Sequence, residues 1–103
     1  MEQTSIQHMV IFNLKHEAGS EAAEQFLRDG ERLLSSIPVV NRFSVFKQVS
    51  PKNDYDYGFS MIFNSQADYE AYNAHPVHVD FVDNRWVPEV SRFLEIDFKA
   101  YGA

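Results

Sequence analysis

The chain has 103 residues, 45% of them hydrophobic and 15% aromatic, with a formal charge of −6 and no cysteine. That length makes one domain around one core. The missing cysteines exclude disulfides and thiol chemistry, and an acidic balance with no Lys/Arg cluster excludes a phosphate-binding, nucleic-acid surface.

The N-terminal MEQTSIQHMVIF has neither a basic stretch nor an unbroken apolar run, and no segment approaches the roughly 18 apolar residues of a membrane span. A cytoplasmic protein with no membrane contact is therefore expected, with residues 1–103 as a single domain. No repeat, low-complexity tract or linker interrupts it.

The first element is a strand, SIQHMVIFNLK, in which Ile6, His8, Val10, Phe12 and Leu14 share one face by alternation. Met9 and Ile11 make its other face apolar too. HEAGS is a loop, and Ser20 is placed to cap the helix EAAEQFLRDGERLLSSI. Phe26, Gly30, Leu33 and Ile37 form the stripe of that helix, widened by Ala23, Leu27 and Leu34. Pro38 ends it.

RFSVFKQVS reads as a second strand, with Phe43, Val45 and Val49 on one side and Phe46 on the other. PKNDYDYG is a turn, and YGFSMIF is a third strand with Tyr57, Phe59, Met61 and Phe63 in register. Ser65 and Asp68 open a short helix carrying Tyr69 and Tyr72. HPVHVDFV begins a further helical segment, and RFLEIDFKAY is the closing strand, with Leu94, Ile96 and Phe98 alternating.

The order βαββαβ is the ferredoxin-like arrangement, an α+β fold on an antiparallel four-stranded sheet. Its helices cover one face only, yet strands one to three carry large apolar groups on both. A second copy is the simplest cover, so a homodimer closing into a dimeric α/β barrel is expected.

HMVIFNLK on the first strand, a helix ending SIP, and YNAHPVHVDFV late in the chain resemble the stress-responsive A/B barrel (Dabb) family over residues 6 to 101. The resemblance implies a dimeric α+β barrel. Many members have no assigned activity, and some plant members are stress-associated oligomers. A plant polyketide-cyclase member performs an intramolecular aldol condensation without a metal, using a tyrosine, a histidine and a further strand-one histidine. By motif position these fall on Tyr72, His78 and His8. This chain departs from the cyclase at Tyr57, where the cyclase has a pocket histidine, and at Gly30, where it has a pocket tyrosine. The cyclase substrate therefore does not carry over. What carries over is an apolar pocket, with Tyr57, Phe59, Phe26, Gly30 and His75 as candidate lining.

The histidines admit two chemistries. His75 and His78 have metal-ligand spacing, but Pro76 biases His75 out of the helix, to its N-cap, and spoils the convergence. No metal and no other cofactor is expected. In the first helical turn the backbone N–H groups oppose an imidazolium, so His78 should be a neutral base near pH 7. The Tyr72 hydroxyl would then donate to an oxygen gaining charge. The bland alternative is a His78 that packs at a helix start and a Tyr72 that fills the core.

His8 sits on an otherwise apolar face, so it needs a buried partner or a cavity. Asp97, opposite in face to Leu94, Ile96 and Phe98, is a carboxylate that could orient a histidine. His16 is expected to be solvated, and Tyr69, Phe81 and Trp86 to be core, interface or cavity wall. Three functions stay open: a binder of a small apolar or carbonyl-containing ligand, a metal-independent lyase or cyclase, and a structural stress-related oligomer.

Overall fold

A computed structural model describes residues 4–102. Strand β1 (Ile6–Leu14) alternates as its pattern requires: Ile6, His8, Val10, Phe12 and Leu14 are buried, while the residues between them are half-buried. Helix α1 (Glu21–Leu34) starts at Ser20, whose hydroxyl accepts from the Ala23 N–H. It stops at Leu34, short of the expected Ile37. The Ser35 and Ser36 hydroxyls bond back to the carbonyls of Glu31 and Leu33 and compete with the helical ladder. Ile37 is nonetheless buried in the core.

Strand β2 (Asn41–Lys47) begins with a register shift between Asn41 and Ser44, where Arg42 takes φ 54°. Val49, expected inside this strand, lies beyond it and is 91% exposed. Strand β3 (Tyr57–Phe63) follows the turn. Helix α2 (Gln66–Ala74) is capped by Ser65, which accepts from the Asp68 N–H.

Helix α3 (Pro76–Phe81) leads into a π-helical turn, Val82–Trp86, and a last helical turn, α4 (Val87–Glu89). Within the π turn the Val87 N–H reaches the carbonyl of Val82. Pro88 gives the cause: its ring would press on the carbonyl four residues back and it has no N–H to donate. Strand β4 (Val90–Phe98) closes the chain.

The sheet order is β2-β3-β1-β4, antiparallel throughout. This is the ferredoxin-like α+β fold. The helices lie over the face that carries Phe12, Phe59 and Phe63, and there they bury Phe26 and Phe81. Each such ring removed from water stabilises the fold by about 1.5–3 kcal/mol before entropy is counted. On the opposite face Met9 and Ile11 stand beside Ile96 and Leu94. There Phe46, Leu94, Ile96 and Phe98 are all exposed.

Candidate functional site

Between the sheet and the α2–α3 segment lies a cavity of about 320 Å³. Its walls are apolar: Val10, Phe59 and Met61 from the sheet, Phe81 and Trp86 from the late helical segment, and Phe93 from β4. Its polar groups are His8, Tyr69, Tyr72, Asn73, His78 and Glu95. The three residues singled out from the sequence as chemical, His8, Tyr72 and His78, thus border one space.

The break between α2 and α3 builds one side. Pro76 forbids a continuous helix, and His75 takes extended backbone between the two. The chain changes direction at that residue, and the His78 ring lies 4.3 Å from the Tyr72 ring, centroid to centroid. His78 Nδ1–H donates to the carbonyl of Asn73 at 3.1 Å. In the neutral ring that bond assigns the proton to Nδ1 and leaves the Nε2 lone pair free. Burial pushes the His78 pKa below its ordinary 6.5. The direction is the expected one, but desolvation is the leading cause, ahead of any charge nearby. Burial likewise raises the Tyr72 pKa, with smaller contributions from Tyr69 and Glu95. Tyr72 is thus a hydroxyl donor and not a phenolate.

Strand pairing builds the other side. In the β1–β4 register His8 faces Asp97, Val10 faces Glu95 and Phe12 faces Phe93. His8 Nδ1–H donates to Asp97 Oδ1 at 2.6 Å, and the Tyr69 hydroxyl donates to Asp97 Oδ2 at 3.0 Å. The Tyr69 oxygen also stands 3.0 Å from His8 Nδ1. Burial and the bond to Asp97 together raise the Tyr69 pKa. His8, buried on an apolar face, is therefore satisfied by a partner and also borders a cavity. The sequence had offered these as alternatives.

Several expected lining residues lie elsewhere. Among them only Phe59 borders the cavity. Tyr57 is buried at the far end of β3, where its oxygen accepts from the Gly19 N–H at 3.0 Å. Phe26 is core, its ring parallel to that of Phe59 and tilted against that of Phe81. Gly30 is filled from outside: a Cβ there would stand 2.6 Å from Phe59 Cζ. His75 caps α3, its Nδ1 accepting from the Val77 N–H at 3.1 Å. His16 is not simply solvated, since its Nε2–H donates to Glu89 at 2.7 Å. Glu89 in turn takes Arg85 at 2.5 Å, and Arg85 reaches Asp29 on α1 at 2.7 Å. That chain of ion pairs fixes the π turn, and with it the Trp86 wall, against α1. The bond from Arg85 is the main reason the Asp29 carboxyl is held below its usual range.

Sequence reasoning passed over Asn73, Phe93 and Glu95. The signal for the last two was available, because both alternate with Asp97 along β4. Among the described residues no group of three His, Cys, Asp or Glu side chains is arranged to hold a metal ion. Nor is any helix long and apolar enough to cross a membrane.

The model of one protein family, the stress responsive A/B barrel domain (Dabb), matches residues 6–100. The chain belongs to the Dabb family. A Dabb family protein from Mesorhizobium loti, described as having a ferredoxin-like fold, is 51% identical; the match covers 95% of this chain and 98% of that one at a TM-score of 0.93. A hydroxynitrile lyase from Passiflora edulis is 14% identical over 99% of this chain and 98% of its own, with a TM-score of 0.84. A dimeric protein of unknown function from Bacteroides fragilis is 19% identical over 95% and 98%, with a TM-score of 0.73. At such identities these last two show a shared fold alone. Comparison with curated proteins gives no match.

Proposed function

We propose that this Dabb chain is a homodimer that binds a small, largely apolar carbonyl compound between its sheet and the α2–α3 segment. One observation carries the binding reading. A cavity of about 320 Å³ has apolar walls and a cluster of imidazole and hydroxyl groups, the pattern of a pocket that holds a ligand by shape and orients it by a few polar bonds. The pairing of copies rests on the exposed Phe46, Leu94, Ile96 and Phe98 of the helix-free face.

A second reading, turnover, is favoured by the state of His78. Its Nδ1–H is held by the Asn73 carbonyl and its pKa is lowered by burial, so Nε2 is a lone-pair base at neutral pH. The proton of a carbon beside the bound carbonyl would pass to Nε2, and the electron pair would move onto the carbonyl oxygen as an enolate. Tyr72 would donate its O–H to that oxygen, stabilising the charge where it develops. An aldol-type cyclase, or a lyase that eliminates beside a carbonyl, begins with that step.

2-Acetylnaphthalene tests both readings. Calorimetric titration should show it binding the wild type. In D2O its methyl protons should exchange faster with the wild type than with His78→Ala, and Tyr72→Phe should slow the exchange by roughly tens- to a thousand-fold. Binding without exchange would leave the pocket and end the base assignment. Absence of binding would end both.

A further inference from the structure

The cavity has an acidic opening with no fixed cation to balance it. Glu95 pairs with Val10 in the β1–β4 register, which puts it on the helix side of β4, between Phe93 and Asp97 on the same face. It borders the cavity and is exposed, so it stands at the rim. Among the described residues no lysine or arginine borders the space. The two arginines next in sequence to its walls are engaged elsewhere. Arg85, beside Trp86, is held by Asp29 and Glu89, and Arg92, beside Phe93, lies over the Tyr55 ring near Asp54. Among the described residues Glu95 has no lysine or arginine partner, and Asp97 accepts a hydrogen bond from His8.

We infer that Glu95 is a specificity residue, setting the ligand class as neutral carbonyl compounds and turning carboxylates away. This rests on the carbonyl-pocket reading and deepens it. A carboxylate entering the cavity would lose water, meet the Glu95 charge at short range, and find no guanidinium or ammonium to pair with. The buried His78 offers no compensating positive charge at neutral pH, since burial lowers its pKa. A neutral ketone or aldehyde escapes the repulsion and keeps the hydrogen bond from Tyr72. A hydroxyl on the same ligand could also donate to Glu95.

The test compares 2-acetylnaphthalene with 2-naphthoate, which replaces the methyl group by a charged oxygen at nearly constant shape. Both are titrated at pH 8 and low salt into the wild type, Glu95→Gln and Glu95→Lys. The two ligands differ in hydration, so the informative quantity is how their affinity ratio changes between variants. Glu95→Gln should tighten 2-naphthoate about tenfold, an expectation already reduced for the exposure of this carboxylate, while the ketone stays within about twofold. Glu95→Lys should tighten 2-naphthoate further, and about 0.5 M salt should narrow all these differences. An unchanged ratio, or equal tightening of both ligands, would overturn the inference and leave the pocket intact. If the ketone fails to bind the wild type, the pocket reading itself is lost and the inference with it.

Discussion

His8 Nδ1 and Asp97 Oδ1 stand 2.6 Å apart although 89 residues separate them in sequence. Only the β1–β4 pairing brings them together. His8 is 5% exposed and Asp97 is at the surface, so the carboxylate reaches inward to satisfy a buried imidazole.

Removing that acceptor should cost stability. With Asp97→Ala the His8 N–H keeps only the Tyr69 oxygen at 3.0 Å, and Tyr69 loses its own acceptor. A buried donor stripped of its main partner costs about 1–3 kcal/mol. Thermal unfolding should show a clear drop for Asp97→Ala and a smaller one for Asp97→Asn, which retains a carbonyl oxygen. Equal melting temperatures for all three proteins would mean that water replaces the carboxylate at no cost.

Gly30→Ala sets two effects against each other. Alanine in a helix interior is favoured over glycine by about 1 kcal/mol. Against that, the new Cβ would meet the Phe59 ring at 2.6 Å. Phe12 and Phe43 pack on Phe59 with centroids 4.9 and 5.2 Å away, so its ring can give way only toward the cavity. Overpacking of this kind costs about 1–3 kcal/mol, so a net loss near 1 kcal/mol is expected in chemical denaturation. A gain in stability would show that the aromatic cluster yields.

Gly30 also marks where reading the sequence stops working. Alternation in β1 and the stripe on α1 gave strand and helix correctly, because burial of one face leaves a period in the residues themselves. Pro76 placed His75 at a cap, since the constraint of a proline on its neighbour is local. The lining of the cavity is not local. Whether a ring from β3 fills the space at Gly30 depends on how α1 crosses the sheet, and no period records that. The π turn escaped for a related reason: Pro88 signals a disturbed helix, but widening and ending satisfy it equally well. Tyr57 carries the right chemistry for a pocket and sits at the far end of β3, while Phe26 packs behind the Phe59, Phe81 and Trp86 walls and does not reach the cavity. Asp97 was suggested by alternation alone, and the same alternation contained Glu95.

The helix-free face should be the contact between copies. Ile96 is 46% exposed and faces Met9 across the β1–β4 register, near the middle of the apolar surface. Ile96→Glu would bring two carboxylates into a symmetric interface, one from each copy, without touching the helix side. Sedimentation at micromolar concentration should give about twice the 11.9 kDa chain mass for the wild type and the single-chain mass for the variant, with unchanged far-ultraviolet circular dichroism. A monomeric wild type would remove the pairing from the proposed function.

His78 links the site to pH. Burial holds its folded pKa below the ordinary 6.5, so between the folded value and 6.5 the unfolded chain binds more protons than the native one. Stability therefore rises with pH across that window. The contribution is fully present above about pH 6.5 and is lost as pH falls through the folded value. NMR titration of the His78 ring should give a midpoint under 6.5. The wild type should lose melting temperature between pH 7.5 and 5 more steeply than His78→Gln, which cannot take up the proton. The bond from Nδ1–H to Asn73 acts in the opposite direction and limits the shift. Asn73 contributes a main-chain carbonyl, so side-chain substitution there should leave the midpoint almost unmoved. A midpoint at or above 6.5, or equal acid sensitivity in both proteins, would mean that the imidazole is better solvated than its position beside Tyr72 implies, and His78 would no longer qualify as the base.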